Sequence, residues 1–435
     1  MNMSIAGSDI ADSLWTLTTS AAPSCPALNG NAETDVAIVG GGYTGLSAAL
    51  HLSEMGLSTT VLEAHEPGYG ASGRNTGEVV PGWSKHQPDQ IVAEFGDERG
   101  ERMNAWVQAS ADQVFELIDR YNIECHAGRH GWLMPANTAR RLSAVQMKYE
   151  GWARRGADVE MLDAAATQRL TGSEHYQGAW LHRGGGMIQP LGYARGLARA
   201  ALGNGAAIHG SSPVTSLHRV GESHVLRTPD GTLHARRVII ATNAYSGNLY
   251  PALRRALVPL RLFQVATAPM GDNLAATILP EGHGISDARR VLWAFRKDPE
   301  GRLVSGVAPL SSGASREHMR QLARRQFDTV YPQLSDVPIE HFWNGLVAVT
   351  MDRLPRMVDL APGVHAGFGY SGRGIAMATG MGRLLALRAT DDPEGSAVFP
   401  VTSPRPLPLH TVLAPLARLR AWWWRQQDRR DDSRS

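Results

Sequence analysis

The chain has 435 residues, 43% of them hydrophobic, which is enough for two or three domain-sized units with a large core. Lys and Arg number 43 against 41 Asp and Glu, so a net charge of +2 excludes neither solubility nor catalysis but gives no electrostatic case for a nucleic-acid partner. Cys25 and Cys125 stand far apart with no CxxC or disulfide framework, no secretory leader pattern opens the sequence and no run approaches the length of a membrane span, so a cytoplasmic protein is expected.

Residues 1–33, rich in Ser, Ala, Pro and Asn, read as a surface arm. An apolar strand from Asp35 then feeds Gly40-Gly41-Gly42-Tyr43-Thr44-Gly45 and a helix. This is the dinucleotide pattern. Gly40 permits the tight turn, Gly42 lets backbone approach a pyrophosphate, and Gly45 allows helix to pack on strand. The helix N-terminus offers free N–H groups and a positive dipole end. A second strand ends in Glu63-Ala64, about 20 residues on, where a carboxylate would accept from a ribose 2′-hydroxyl and repel a 2′-phosphate. FAD or NAD therefore fits better than NADP.

The glycine-rich stretch 66–78 reads as a long ordered loop. Apolar spacing then predicts helices over about 90–125, with Met103, Trp106, Val107, Val114, Leu117 and Ile118 on one face, and over 138–170. His126 and His130 have a metal-compatible spacing, but Gly128 and Gly131 break the helix that would need to carry them, and no metal is expected. A helix over Tyr193–Leu202 precedes strands at Val214–His218, His224–Thr228 and Arg237–Ala241, an inserted β unit closed by Ala241-Thr242. Residues 249–357 carry further strands around a helix near 315–330. Val364 to Gly374 repeats the strand, glycine turn and helix logic, giving a second helix N-terminus able to face phosphate or a ring. The tail combines Arg418, Arg420 and Trp422 to Arg425. A terminal helix packing its tryptophans on the first domain is the expectation, ahead of peripheral contact with a membrane surface.

Four blocks, Ser13-Leu-Trp15, Val39 to Ala49, Gly70-Ala-Ser-Gly-Arg-Asn75 and Gly369-Tyr-Ser-Gly-Arg-Gly374, together frame almost the whole chain. In them the sequence resembles the FAD-dependent amine and amino-acid oxidases of the D-amino-acid oxidase, glycine oxidase and sarcosine oxidase group, closest to gamma-glutamylputrescine oxidase-like members. The resemblance implies an α/β fold: a Rossmann-like, glutathione-reductase-like FAD domain with an inserted β unit (34–84, 186–248 and 358–390), and an α+β substrate domain on an antiparallel sheet (85–185 and 249–357). The arm (1–33) and a C-terminal tail (391–435) lie outside both. It also implies non-covalent FAD, since no Cys follows Cys125.

By the same resemblance Gly40, Gly42, Tyr43, Thr44 and Gly45 would hold the pyrophosphate, Glu63 and Ala64 the ribose, and Val214 the adenine through its backbone. Ala71, Ser72, Arg74, Asn75 and Thr76 would follow the phosphates and flavin, with Ala241 and Thr242 beside them. Gly369, Gly372, Arg373, Gly374 and Ile375 would sit at the pyrimidine end, where a helix N-terminus would stabilise the reduced flavin.

The implied reaction oxidises a C–N bond of a small amine or amino acid by hydride transfer from the α-carbon to flavin N5, with hydrolysis of the imine. Oxygen or another acceptor would restore the flavin. Glu78, where the family often has Gln, would hold an ammonium group. Arg296 is the candidate carboxylate clamp, with a surface ion pair as its competing use, and Trp293 would wall the pocket. Arg373 and Ala376 stand where the sarcosine oxidase branch has His and a carboxylate-binding Lys, and the strand at Arg302–Gly306 carries no oxygen-activating Lys. Those departures point away from a small amino acid toward a polyamine derivative such as gamma-glutamylputrescine, or a secondary amino acid. An NAD-dependent dehydrogenase and a non-catalytic flavin-binding protein are the competing readings.

Overall fold

The computed structural model describes residues 13–308, 315–406 and 422–432. Strands Ala207–His209, Thr59–Leu62, Gly30–Val39, Gly231–Ile240 and Val364–Phe368 lie side by side in that order, all parallel. Val36, Ala37, Ile38 and Val39 are buried in succession, as expected of a central parallel strand covered on both faces. The glycine-turn helix Tyr43–Glu54 packs against the last Rossmann helix, Gly374–Ala389. A hairpin, Ser216–Val220 with Ser223–Arg227, hangs antiparallel on Gly231–Ile240 and is the inserted β unit.

The second sheet has eight strands in the order Ile339–Val349, Val258–Thr267, Leu303–Val307, Ala294–Lys297, Gly284–Ser286, Trp132–Ala136, Gly178–His182 and Val159–Leu162. Its pairs are antiparallel except that of Gly284–Ser286 with Trp132–Ala136. Alternation divides its faces. Leu133, Ile285 and Phe295 pack under the helix Arg316–Val330, whose Met319, Ala323, Phe327 and Val330 form one apolar stripe. Their chain neighbours Trp132, Ser286 and Arg296 belong to the opposite face, toward the glycine turns.

Four segments depart from the sequence expectations. The region 138–170 is two helices, Ala139–Ala153 and Ala164–Thr171, around the edge strand Val159–Leu162, which is too short to show a period of its own. Glu78–Val79 leaves the long loop to pair with Gly186–Met187, so the expected boundary at 186 falls on a two-stranded seam outside the Rossmann sheet. The arm is no surface element at Leu14 and Trp15, which are fully buried in the helix Leu14–Leu17.

The tail also differs. Val401–Thr402 extends the Rossmann sheet, while residues 422–432 form a helix docked by its acidic side on the second sheet's helices and loops. Asp428 accepts from the guanidinium of Arg141 and the backbone N–H groups of Arg290 and Val291 at 3.0 to 3.1 Å. Trp422 and Trp423 stay exposed and Trp424 stacks with Arg353, so the tryptophans do not anchor the helix to the FAD domain. Charge complementarity with four arginines outweighs the burial that the tryptophans could have supplied. Among the described residues no helix is long and apolar enough to cross a membrane.

Candidate active site

Gly40, with φ of +106°, turns the chain at the end of the first strand. A Cβ at Gly45 would lie 1.9 Å from the Gly40 carbonyl oxygen, so only glycine lets the helix start this close to the turn. Glu63 reaches back to the same turn. Its carboxylate accepts from the N–H groups of Gly41 at 2.6 Å and His65 at 3.0 Å. Burial raises its pKa, opposed by those N–H bonds and one from Ala64. Ser212 N–H donates to the Glu63 carbonyl, and the chain runs on to half-buried Val214.

The loop 71–76 closes over the helix start. Tyr43 N–H donates to Ser72 Oγ (3.0 Å) and Tyr43 OH to the Ser72 carbonyl (2.6 Å). Asn75 Nδ2 donates to the carbonyls of Ala71 and Ser72 and to Tyr43 OH, while its Oδ1 takes the Gly77 N–H. Two indoles hold this loop from beneath: Trp15 donates to the Asn75 carbonyl (2.8 Å) and Trp343 to the Arg74 carbonyl (2.9 Å), their rings in edge contact. Arg74 itself is tied to the Tyr69 and Asn344 carbonyls.

The last glycine turn arrives at the same place. Thr44 Oγ1 and Tyr370 OH lie 2.7 Å apart in the core, Gly369 N–H donates to Asn243 Oδ1, and Ala241–Thr242 abut Gly40. The turn then opens the helix Gly374–Ala389 through Ser371 and Gly372 in left-handed conformations. Ile375 is buried just inside that helix.

Glu78 and Arg373 meet through Trp132. The indole N–H donates to Glu78 Oε2 (3.0 Å), Ser286 Oγ donates to the same oxygen, and the Arg373 guanidinium lies 4.7 Å above the indole ring. Burial raises the Glu78 carboxyl above the ordinary range, opposed by the Ser286 bond, Arg373, Trp132 and Arg296. Burial pulls Arg373 down to about 10, with Glu78 opposing.

Of the two other substrate candidates, Arg296 stays within electrostatic reach of Glu78, while Trp293 packs in another loop. Arg296 spends Nη1 on the carbonyls of Thr76 (3.0 Å) and Ile188 and lies over Trp15, so its donor side props the loop 71–76. Trp293 stacks on Arg289 at 3.8 Å, in the 287–293 loop beneath the terminal helix. Arg261 bonds Asn344. His126 and His130 lie in an irregular segment, His126 in a left-handed conformation.

Sequence reading missed Trp132, Ser286, Tyr370, Lys85 and Lys148. Each acquires meaning from a partner more than 50 residues away, which no local period encodes. Lys148 Nζ donates to the carbonyls of Lys85 and His86, and Lys85 Nζ to that of Arg290.

Three features fit a flavin nucleotide with a second ligand beside it. A Cβ added at Gly372 or Gly374 would meet no atom within 4 Å, so the turn borders open space of the kind a ring would fill. Glu78 Oε1 is buried with no hydrogen-bond partner. Arg373 is 7% exposed, with its guanidinium over the Trp132 ring at the start of the same helix. A buried carboxylate oxygen this costly to leave unpaired points to a ligand that satisfies it.

Fold and site together define an oxidoreductase that couples a Rossmann dinucleotide domain to a predominantly antiparallel substrate sheet. A family model described as FAD dependent oxidoreductase (DAO) matches residues 35–388. The chain is 33% identical over 405 residues to the gamma-glutamylputrescine oxidoreductase of Escherichia coli strain K12, covering 92% of this chain and 94% of the relative. Among solved structures, the L-proline dehydrogenase of P. horikoshii superposes with a TM-score of 0.69 at 18% identity, covering 83% of this chain and 94% of that one. Glycine oxidase from Geobacillus kaustophilus does so with 0.68 at 21%, covering 83% and 95%. The protein belongs to the DAO family of FAD-dependent oxidoreductases. FAD is its cofactor, held non-covalently as is typical of the family, and the reading as a dehydrogenase using NAD alone is set aside.

Proposed function

We propose that this enzyme oxidises the C–N bond of an elongated amine that carries a second charged group, such as a γ-glutamylated diamine of the kind its Escherichia coli relative is named for. The observation that carries this reading is the unpartnered Glu78 Oε1, a buried carboxylate oxygen beside the Gly372–Gly374 turn. FAD, when bound, supplies the two-electron acceptor for the hydrogen leaving the α-carbon with its bonding pair.

The chain's own residues do the rest. Trp132 and Ser286 hold Glu78 Oε2, which leaves Oε1 to accept from the substrate ammonium and to take its proton before transfer. A carboxylate raised by burial is better matched to that proton than an exposed one. The Trp132 ring walls the site and excludes water. Arg373 and the first N–H groups of the helix from Gly374 add positive potential where negative charge develops.

A secondary amino acid is the second reading, favoured by the Arg373 guanidinium, which could take an α-carboxylate. Anaerobic mixing of the yellow protein with a panel of γ-glutamylated diamines, free diamines and secondary amino acids tests both. Rapid bleaching by the first group is the expected result, and admission of air then reports whether oxygen restores the colour. If no amine bleaches the flavin, the proposal fails.

A further inference from the structure

Ser84 Oγ donates to the Ser371 carbonyl at 2.8 Å, which sets the segment 84–86 against the turn that carries Arg373. Lys85 follows, its ammonium on the Arg290 carbonyl at 3.3 Å. Lys148 approaches from the helix Ala139–Ala153, its ammonium on the carbonyls of Lys85 and His86 at 3.4 and 3.2 Å. The acceptors of these two ammonium groups are thus neutral carbonyls. Solvent reaches Lys85, which is exposed, and Lys148 is half-buried.

The charges facing the pair do not balance. Lys148 faces Lys85 and Arg373; Lys85 faces Arg353 and Arg373, with Asp428 and Asp287 on the other side. Both aspartates are already committed, Asp287 to Arg289 and Asp428 to Arg141 and Arg290. Burial and this repulsion bring Lys85 to about 8 and Lys148 to about 7. A cluster of like charges whose ammonium groups meet only neutral carbonyls favours an anion that arrives to pair with them.

We infer that Lys85 and Lys148, set beside the turn that carries Arg373, form an anion subsite that takes the distal carboxylate of the substrate. The inference rests on the amine-oxidising reading above and names the second charged end that reading calls for. The subsite selects long zwitterionic amines over simple diamines, because only the former place a carboxylate there while the amine reaches Glu78. Carboxylate binding restores the ordinary basicity of both lysines, so the complex takes up protons from solvent above neutral pH.

The test uses the FAD-loaded enzyme and glutaric acid mono-n-butylamide, which carries the carboxylate but no oxidisable amine, against the neutral N-butylpentanamide. Calorimetric titration at pH 8 in two buffers of different ionisation enthalpy gives affinity and proton uptake together. The acid is expected to bind at least tenfold tighter than its neutral counterpart, with net proton uptake. Lys85→Met and Lys148→Met should each remove most of that advantage, and Lys148→Arg should restore part of it. Equal affinities for acid and neutral probes, binding without proton uptake, or Lys→Met variants that retain the preference would overturn the subsite. Should the Met variants fail to take up FAD, the two-probe comparison and proton count on the unmodified enzyme still decide. Since neither probe is oxidised, the binding result is independent of flavin bleaching, which judges the amine-oxidising reading.

Discussion

A methyl group added at position 45 and one added at position 374 separate folding from cofactor binding. At Gly45 it would collide with backbone, so Gly45→Ala should cost at least about 1–3 kcal/mol, lower the melting temperature of the apoprotein and abolish flavin retention. At Gly374 no protein atom stands within 4 Å, so Gly374→Ala should leave apoprotein melting within about 0.5 kcal/mol of the parent while weakening FAD in a fluorescence titration. Glu78 acts at the same scale. Its carboxyl titrates above the usual glutamate value of about 4.3, and only the ionised form can hold the ammonium. The acid limb of kcat/KM should therefore lie above that value. Glu78→Gln should lower kcat/KM by about 100-fold and remove the limb.

Among the elements, the helix at 422–432 depends on three aspartates rather than on its tryptophans. Asp431 is held below the ordinary carboxylate range by its bond to Arg290; burial opposes Asp432, but Arg289, Asn137 and Arg141 outweigh it. A folded-state pKa below the unfolded one gives stability that is complete above about pH 4 and lost as pH falls through the folded value. Amide exchange in 422–432 should thus stay slow at pH 5 and accelerate below pH 4. Asp428→Ala, which leaves Arg141 buried beside fewer acceptors, should cost about 2–4 kcal/mol and release the helix at neutral pH. Nothing in the run of Trp and Arg at 422–425 announced this arrangement, because the recipient arginines lie at 140–141 and 289–290. The fingerprint turn, by contrast, was legible residue by residue, since Gly40, Gly45 and Glu63 satisfy one another within a single βαβ unit. The seam strand at Glu78–Val79 fell between these cases: two residues carry no period, and Met187, which pairs with Glu78, is remote.

At the scale of the whole molecule, two sheets meet along a seam where the loop 71–76 rests on Trp15, Trp343 and Arg296. A ligand that binds only the closed arrangement stabilises it by mass action, about 4 kcal/mol at a thousandfold excess over its Kd. The melting temperature should accordingly climb with added FAD and continue to climb beyond one equivalent. The hydroxyl pair of Thr44 and Tyr370 joins positions 326 residues apart. While the polypeptide is still being translated, the first half of the cradle therefore waits in the open for a counterpart not yet threaded out of the ribosome. Nascent chains arrested before Tyr370 should carry the nucleotide fingerprint and yet stay colourless.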